Sequence, residues 1–271
     1  MAARCYDPAV TTMVGTLPAA LGNRIGAAVL AYGLTDGANE ETGYTDPTYV
    51  PRNKPLIIKR AGTRMKDPDH WQPLAFDAQK SQNGIPIPDK VQVAIGSQWG
   101  HVTGFALPPS ADGLPLDPGS PPRVTDPARH DEYVRSAVDL IRRSARLDPS
   151  DGVLIDVSPG SVGNNHLGTY DGHGWSVNPV TGRPYEPVMV PRGDWTRALA
   201  EYWADGPRSE TPPGHWNLIL NQVGDMEGTV HRIGADGPEV DRLAWDVAAY
   251  LALNGALHDA AIAAWGAKRT Y

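Results

Sequence analysis

A long helical periodicity near the C-terminus constrains the fold more than any other feature of this sequence. Asp236, Pro238 and Glu239 give a capped start with acidic residues in the first turn, and apolar residues then recur at steps of three or four as far as Lys268. About 30 helical residues would span ~45 Å. We predict that this is the longest and most buried helix of the molecule. The residues expected on its buried faces are Leu243, Val247, Leu251, Leu257 and Ala261.

The rest of the second half is typical of helices joined by turns. An Asp-Pro pair at 126–127 precedes apolar residues at helical spacing. A second Asp-Pro pair at 148–149 predicts a short helix that continues to Val157. Asp194 and the Thr-Pro pair at 211–212 each predict the start of a further helix.

The first half is predicted to be an irregular, loop-rich layer. Residues 35–125 are rich in Gly, Pro, Asn and Asp, so we expect only a few short strands there, and one helix near 17–34. Pro and Gly are densest over 108–127, which we interpret as a surface excursion rather than a domain border. The predicted fold class is mainly α, with a loop-rich region 1–125 and a helical region 126–271 in one continuous domain.

The charge balance excludes several classes of partner. Lys and Arg number 24 against 31 Asp and Glu, a net charge of -7, whereas nucleic acid and anionic lipid both need basic surface. No uninterrupted apolar run reaches the ~18 residues of a membrane helix. We therefore expect no nucleic acid and no membrane as partners. The start lacks a signal peptide, so we expect it to be internal to a longer protein, exported if a signal peptide precedes it.

Lys268 lies at the end of the apolar stripe, close to Trp265. At ~100° per residue, Trp265 falls within roughly 60° of Lys268, and Asp259 falls on the opposite side, toward another packing partner. The helix is thus predicted to present a nearly exposed lysine beside a tryptophan. The residues alone leave two interpretations open: a cation that binds a ligand, or an ordinary C-terminal cation favoured by the helix dipole.

The sequence from Leu253 to Tyr271 resembles the helix that carries the first anion-binding motif of the vanadium haloperoxidase and phosphatidic acid phosphatase superfamily. In that family the motif is a lysine, six further residues, then Arg-Pro. Lys268 matches the lysine, and the sequence stops four positions before the arginine would fall. Trp265 matches a position that lines the halide side of the pocket in some members. Four upstream segments are similar to parts of bacterial haloperoxidase-like proteins: residues 67–74, 98–107, 158–165 and 203–216.

The resemblance implies a helical bundle of the vanadium haloperoxidase/acid phosphatase type, represented by its N-terminal part. It implies halide oxidation by hydrogen peroxide, vanadate as the cofactor, Lys268 as the vanadate- or phosphate-binding residue and Trp265 on the halide side. The implied partners are hydrogen peroxide, a halide or organic substrate, a missing C-terminal segment, and a second copy in a homodimer. The family's later motifs, Ser-Gly-His and an Arg followed by the metal-binding His, have no match here. We therefore expect the fragment alone to be inactive.

Two other functions stay open. One is a phosphatase or phosphotransferase of the same superfamily, in which phosphate replaces vanadate and the metal-binding His becomes a nucleophile. Lys268 serves both reactions, so it does not separate them. The other is a non-catalytic truncated module that folds only against a partner, which a long helix without a C-terminal cap or Gly stop favours.

A metal site is the first of the less well supported alternatives. His166, Asp171 and His173 are residue types that bind divalent metals, but they lack a motif of fixed spacing. The surrounding glycines are typical of turns that need a positive φ. We therefore predict no metal site.

Three further sets of residues are interpreted as structural. His215 follows Pro-Pro-Gly, and we expect it to tie a loop to a helix start by a hydrogen bond. Nothing in the sequence pairs Glu201, Glu210 and Glu227 for glycoside cleavage. Ser161 has the wrong spacing for a nucleophile elbow.

Overall fold

Helices dominate the described part of the chain. The computed structural model describes residue 7 and residues 9–61, 64–80, 84–163, 173–179, 181–203, 210–234 and 237–271, without the side chains of 201–203. The helices there are α1 (Pro18–Gly33), α2 (His130–Ser144), α3 (Pro159–Val162), α4 (Arg192–Trp203), α5 (Pro212–Asp225) and α6 (Arg242–Thr270). The strands are β1 (Leu56–Ile57), β2 (Leu74–Ala75), β3 (Gln79–Lys80), β4 (Pro86–Ile87), β5 (Leu154–Asp156) and β6 (Met189–Pro191). The predicted class, mainly α with a few short strands, is confirmed at this level.

The chain divides into two compact units. The first consists of residues 1–79, 88–121 and 216–271, and the second of residues 80–87 and 122–215. The first unit contains α1, α6 and most of α5. The second contains α2, α3, α4 and the β5–β6 pair.

The core of the first unit lies between the second half of α6 and a loop layer that includes a 3₁₀ turn at Trp99–His101. Ile262 of α6 is completely buried and packs with Ala38 and Val102, which are 8% and 4% exposed. Trp99 is partly buried against the same cluster. Apolar contact with the loop layer therefore fixes one face of the second half of α6.

Helices α5 and α6 form an antiparallel pair within the first unit. The side-chain amides of Asn217 and Asn254 exchange hydrogen bonds of 2.9 and 3.0 Å. One turn further along each helix, the Tyr250 hydroxyl donates to Asn221. Residue numbers rise along α5 as they fall along α6, which is the pattern of an antiparallel helical hairpin.

Helix α6 is the longest described helix, as predicted, but its first half is not buried. Leu243, Val247 and Leu251 are 72%, 63% and 67% exposed. The prediction that these residues belong to a core is therefore wrong. Further along the helix, Leu257 and Ala261 are half-buried.

The physical reason is that α6 is apolar on several sides, so its periodicity defines a helix without selecting one face. The face that packs is selected by the loop layer, which covers Ile262 and Gly266. Within the described residues, α6 is the helix that could cross a bilayer by length and hydropathy alone. The helix begins at Arg242, where the Asp241 side chain accepts a hydrogen bond from the Ala244 amide, and not at Pro238.

The segment after Asp148 forms a strand where a short helix was predicted. Asp148 caps a 3₁₀ turn at Pro149–Asp151, which ends at Gly152 with a φ of 70°. The chain then enters β5, which pairs antiparallel with β6. The prediction of a helix through Val157 is wrong because a left-handed glycine stops the turn, and because the pairing strand is distant in sequence.

Candidate functional site

Trp265 of α6 lies against the backbone of the loop at 95–96. Its indole Nε1 donates a hydrogen bond of 2.5 Å to the carbonyl of Ile95. Gly96 has a φ of +72°, and a Cβ built there would lie 2.2 Å from Trp265 Cδ1. Glycine is required at this position both by the backbone conformation and by the close approach of the ring. The indole is thus held at one edge by a carbonyl and on one side by bare backbone.

Lys268 lies on the face of the same tryptophan. Its Nζ is 3.8 Å from the Trp265 ring centroid, and the residue is exposed. The predicted placement of the two side chains on one side of the helix is confirmed. No carboxylate lies within ion-pair distance of Lys268 in the part of the chain that the structure describes. A cation–π contact at an exposed site contributes only about 0.5–1 kcal/mol, so the ammonium is oriented but still available to an anion.

Asp259 lies on the other side of α6, as predicted, and its partner is the loop at 105–107. The backbone amides of Phe105, Ala106 and Leu107 donate to its carboxylate at 2.8, 2.8 and 2.9 Å. Burial raises the pKa of Asp259, but these three donors outweigh it and hold the pKa below its ordinary value. Asp259 is therefore a charged anchor that joins α6 to the loop layer.

Three glycines allow the backbone of the loop layer to pack directly on the backbone of α6. Gly100 and Gly113 belong to the loop layer, and Gly266 lies on α6 between Asp259 and Lys268. A Cβ at Gly100 would lie 1.9 Å from the carbonyl oxygen of Gly113, and a Cβ at Gly266 would lie 2.4 Å from the same oxygen. Real Cβ contacts are never that short, so any side chain at either position would push the loop away from the helix. The sequence gives no signal for this role of Gly266, because a glycine inside a helical pattern indicates only a locally weaker helix.

The last turn of α6 has two further attachments. The guanidinium Cζ of Arg269 lies 4.9 Å from the ring centroid of Tyr49. The Tyr271 hydroxyl donates a hydrogen bond of 2.6 Å to Asp117, and this bond is the largest cause of the lowered pKa of the Asp117 carboxyl. The end of the helix is therefore fixed by several loops, and Lys268 is the cation left facing outward.

The histidine of α6 belongs to an aromatic cluster on the same loop layer. The His258 ring meets Phe105 edge-on with ring centroids 5.3 Å apart, and its centroid lies 6.3 Å from that of Trp99. Its Nδ1 is 3.7 Å from Asp259 Oδ1. These contacts show why the Trp-Gly-His segment around residue 100 stays close to α6.

The upstream segment 67–74 is a loop organised by a buried asparagine. Asn53 is 2% exposed, and its amide donates to the carbonyls of Asp67 and His70 while its oxygen accepts from the Lys66 and Asp67 amides. A hydrogen bond from His70 lowers the pKa of Asp67. The histidine here therefore supports a turn.

The structure gives little support to the alternatives of a metal site, a glutamate pair or a catalytic His215. His166 and Asp171 lie outside the described residues, and so does the side chain of Glu201. Within the described ranges, no group of three or more His, Cys, Asp or Glu residues is placed to hold a metal ion. His215 Nδ1 lies 3.5 Å from Glu210 Oε2 at the start of α5, which matches the expected link between loop and helix.

Ser161 takes part in a structural turn. Its hydroxyl donates to Asp156 Oδ2 at 2.7 Å, and the Ser158 amide and Val188 amide donate to the same carboxylate. These bonds, the one from Ser161 first, lower the pKa of Asp156 to about 2. A carboxylate of low pKa is a poor general base, so these bonds support the structural interpretation of Ser161.

No protein-family model, curated protein or solved structure matches this chain. The resemblance to the haloperoxidase superfamily therefore rests on the residues quoted from the sequence, and the roles of Lys268 and Trp265 stay predictions.

Proposed function

We propose that the end of α6 supplies the anion-binding lysine of a haloperoxidase-like enzyme that oxidises halide with hydrogen peroxide at a bound vanadate. The observation that carries this proposal is the position of Lys268, an exposed ammonium 3.8 Å from the Trp265 ring centroid. Because no described carboxylate pairs with it, an oxyanion does not have to displace a competing charge. The proposal includes the helical bundle of that superfamily as the fold of the complete enzyme.

Trp265 gives this lysine a defined place. The Ile95 carbonyl and the bare backbone of Gly96 fix the indole, and the indole in turn limits where the ammonium lies. A charged group that is oriented before binding loses less conformational entropy when it meets its ligand. In the proposed enzyme Trp265 also forms part of the halide side of the pocket.

Vanadate fits Lys268, but it needs more donors than this sequence provides. An oxyanion of this charge needs several convergent donors, and the resemblance assigns it arginine and histidine residues whose motifs have no match in the 271 residues. Arg269 is not such a donor, since neighbouring helical residues point ~100° apart and its guanidinium lies over Tyr49. Vanadate would supply the activation of peroxide, and Lys268 would hold one of its oxygens.

The test is vanadate-dependent bromide oxidation by the natural gene product, measured with hydrogen peroxide and a phenol acceptor after phosphate has been removed. We expect turnover to require orthovanadate and to fall roughly 10- to 150-fold in Lys268→Ala, the equivalent of one charge-assisted hydrogen bond. Arg269→Ala is the matched control and should keep its turnover. Absence of vanadate-dependent turnover, or an undiminished rate in Lys268→Ala, overturns the proposal. Residues 1–271 purified alone should show no turnover.

The phosphatase alternative uses the same lysine and is separated by the same preparations. Hydrolysis of an aryl phosphate without vanadate, inhibited by added vanadate and lost in Lys268→Ala, would replace the haloperoxidase assignment by a phosphatase of the superfamily. No bromide oxidation is expected in that case.

A second candidate function, a non-catalytic module that folds against a partner, is favoured by a separate observation. The first half of α6 exposes a stripe of large apolar residues, Leu243, Val247 and Leu251. Soluble monomers rarely leave contiguous apolar surface uncovered. Affinity purification of the natural gene product under native conditions distinguishes the candidates, because a module without activity should copurify with a stoichiometric partner.

A further inference from the structure

Residues 91–95 form one edge of the small sheet that contains β1 and β2 in the first unit. Ala75 of β2 pairs with β1 on one side and, antiparallel, with Val91 on the other. The amide of Gln92 donates a hydrogen bond of 2.9 Å to the carbonyl of Leu74 in β2. The segment is therefore held to the sheet along one of its two sides.

The other side of this edge presents backbone groups that a further strand can use. Backbone N–H and C=O groups alternate in direction along a paired strand, so those of Val91 and Val93 point away from β2. In the part of the chain that the structure describes, no hydrogen bond reaches the backbone of either residue. The carbonyl of Ile95, which follows the same alternation, accepts the bond from Trp265. Helix α6 therefore closes one end of an edge that is otherwise open.

The side chains of this edge are arranged in reverse of those in an ordinary surface strand. Val91, Val93 and Ile95 are 39%, 70% and 83% exposed, whereas Gln92 and Ala94 are half-buried. This alternation is that of a strand whose apolar face is turned to solvent. Proteins normally protect an edge with a proline or a charged residue, and the segment contains neither. The edge is therefore well suited to pairing with another strand.

The size and the charge of the edge indicate a peptide rather than a folded partner. A stable interface between folded proteins takes roughly 20–30 residues on each side, several times the length of this edge. An extended peptide needs less, since main-chain hydrogen bonds supply affinity and alternate side chains supply specificity. At the closed end, Lys268 Nζ lies 3.8 Å from the centroid of the indole that binds Ile95. No described carboxylate pairs with this ammonium, so the complementary charge on a peptide is negative.

We propose that residues 91–95 bind an extended peptide as an added strand, with apolar side chains at alternate positions and an acidic side chain at the end next to Lys268. The peptide backbone exchanges hydrogen bonds with Val93, and its apolar side chains pack beside Val91 and Val93 on the exposed face of the sheet. Binding of such a peptide needs the ammonium of Lys268 but neither vanadate nor peroxide. It is measured without them, so its failure is distinct from a failure of the proposed enzyme activity.

The test is an NMR titration of the intact 271-residue chain with an acetylated and amidated heptapeptide, in which valine and threonine alternate between two terminal aspartates. We expect the amide signals of Val91 and Val93 to shift at peptide concentrations of about 1 mM or below. Two further peptides carry backbone N-methyl groups on their odd or their even residues. Only alternate N–H groups of an added strand face the edge, so one methylated peptide should bind roughly tenfold more weakly and the other should keep most of its affinity.

Variants of the chain test the two kinds of contact separately. Val93→Pro removes the outward N–H and should weaken peptide binding roughly tenfold, and proline is tolerated on an edge strand where its missing N–H faces outward. Lys268→Ala should weaken binding of the aspartate peptide about two- to fivefold and leave unchanged that of a peptide with asparagine at both ends. Arg269→Ala is the matched control and should bind both peptides like the unaltered chain. Far-UV circular dichroism checks that each variant keeps its helices.

The proposal is overturned if the signals of Val91 and Val93 do not respond to the peptide, if the two methylated peptides bind equally, or if Val93→Pro binds like the unaltered chain. Equal binding of the aspartate and asparagine peptides would overturn the pairing of an acidic side chain with Lys268. Val91 and Val93 signals that depend on protein concentration without peptide would show that a second copy occupies the edge, which also overturns the proposal.

Discussion

Carboxylates that accept backbone hydrogen bonds anchor the loops in both units. Asp259 binds the amides of Phe105, Ala106 and Leu107, and Asp156 binds those of Ser158 and Val188 together with the Ser161 hydroxyl. Charge-assisted bonds of this kind are shorter and stronger than neutral ones. Exposed ion pairs contribute far less, about 0–1 kcal/mol.

Asp156 should make the stability of the second unit sensitive to acid. Its pKa in the folded state is lowered from 3.8 to about 2. The ionised carboxylate therefore contributes to the free energy of unfolding at pH values above the unfolded-state pKa, and this contribution is lost as the pH falls through the folded-state pKa. We expect the urea midpoint to drop between about pH 4 and about pH 2, and Asp156→Asn to flatten that part of the profile. Asp139→Asn, at an exposed ion pair on α2, should leave it unchanged. An unaltered profile in Asp156→Asn would show that these hydrogen bonds do not form in solution.

Part of the residue-scale arrangement follows from the sequence, and part does not. Lys268 lies three positions after Trp265, so helical geometry alone places both side chains on one side. The carbonyl that binds Trp265 belongs to Ile95, 170 residues earlier in the chain. Local patterns carry no information on such a contact, and the requirement for glycine at position 96 becomes visible only with the ring in place.

At the scale of elements, α6 shows what hydrophobic periodicity can and cannot predict. The period predicted a long helix, and α6 has 29 residues. It did not predict which face packs, because alanines and large apolar residues surround much of the helix. The contact with the loop layer depends on the backbone approach at Gly100, Gly113 and Gly266, and small residues leave no mark in a hydrophobic pattern.

Two glycines of α6 should respond in opposite ways to alanine. A Cβ at Gly266 would lie 2.4 Å from the Gly113 carbonyl oxygen, so Gly266→Ala should lower the free energy of unfolding by about 1–3 kcal/mol. At Gly255 the nearest atom would be a Phe105 ring carbon at 3.7 Å, an ordinary contact. Gly255→Ala should therefore raise the free energy of unfolding by about 0.5–1 kcal/mol. Urea denaturation measures both, and destabilisation by both variants to the same extent would contradict the described packing.

At the scale of the whole molecule, the exposed first half of α6 is the surface whose burial would differ between the chain alone and the chain bound to a partner. Leu251 is 67% exposed and Ile262 is completely buried, although both are large apolar residues of one helix. Burial of the exposed stripe by another surface would be favourable, since the hydrophobic effect scales with the apolar area removed from water.

Alanine substitution at the two positions should reveal this difference. In the chain alone, Leu251→Ala should change the free energy of unfolding by no more than about 0.5 kcal/mol, whereas Ile262→Ala should cost about 2–5 kcal/mol. Urea denaturation gives both values. If Leu251→Ala lowers the free energy of unfolding as much as Ile262→Ala does, the stripe is already covered in the chain alone, for example by a second copy. The exposed stripe would then no longer support the proposal of a module that folds against a partner.

The most direct test of the oxyanion site at Lys268 is an NMR titration of the 271-residue chain, in which the indole N–H signal of Trp265 is followed as inorganic phosphate or orthovanadate is added. One charge-assisted hydrogen bond contributes about 1.5–3 kcal/mol, so binding in the range of ~10–100 mM is expected rather than micromolar affinity. The account predicts that the Trp265 signal shifts with anion, that Lys268→Ala abolishes the shift, and that Arg269→Ala retains it. A Trp265 signal that does not respond, or that responds equally in Lys268→Ala, would contradict the assignment of this lysine to an anion site.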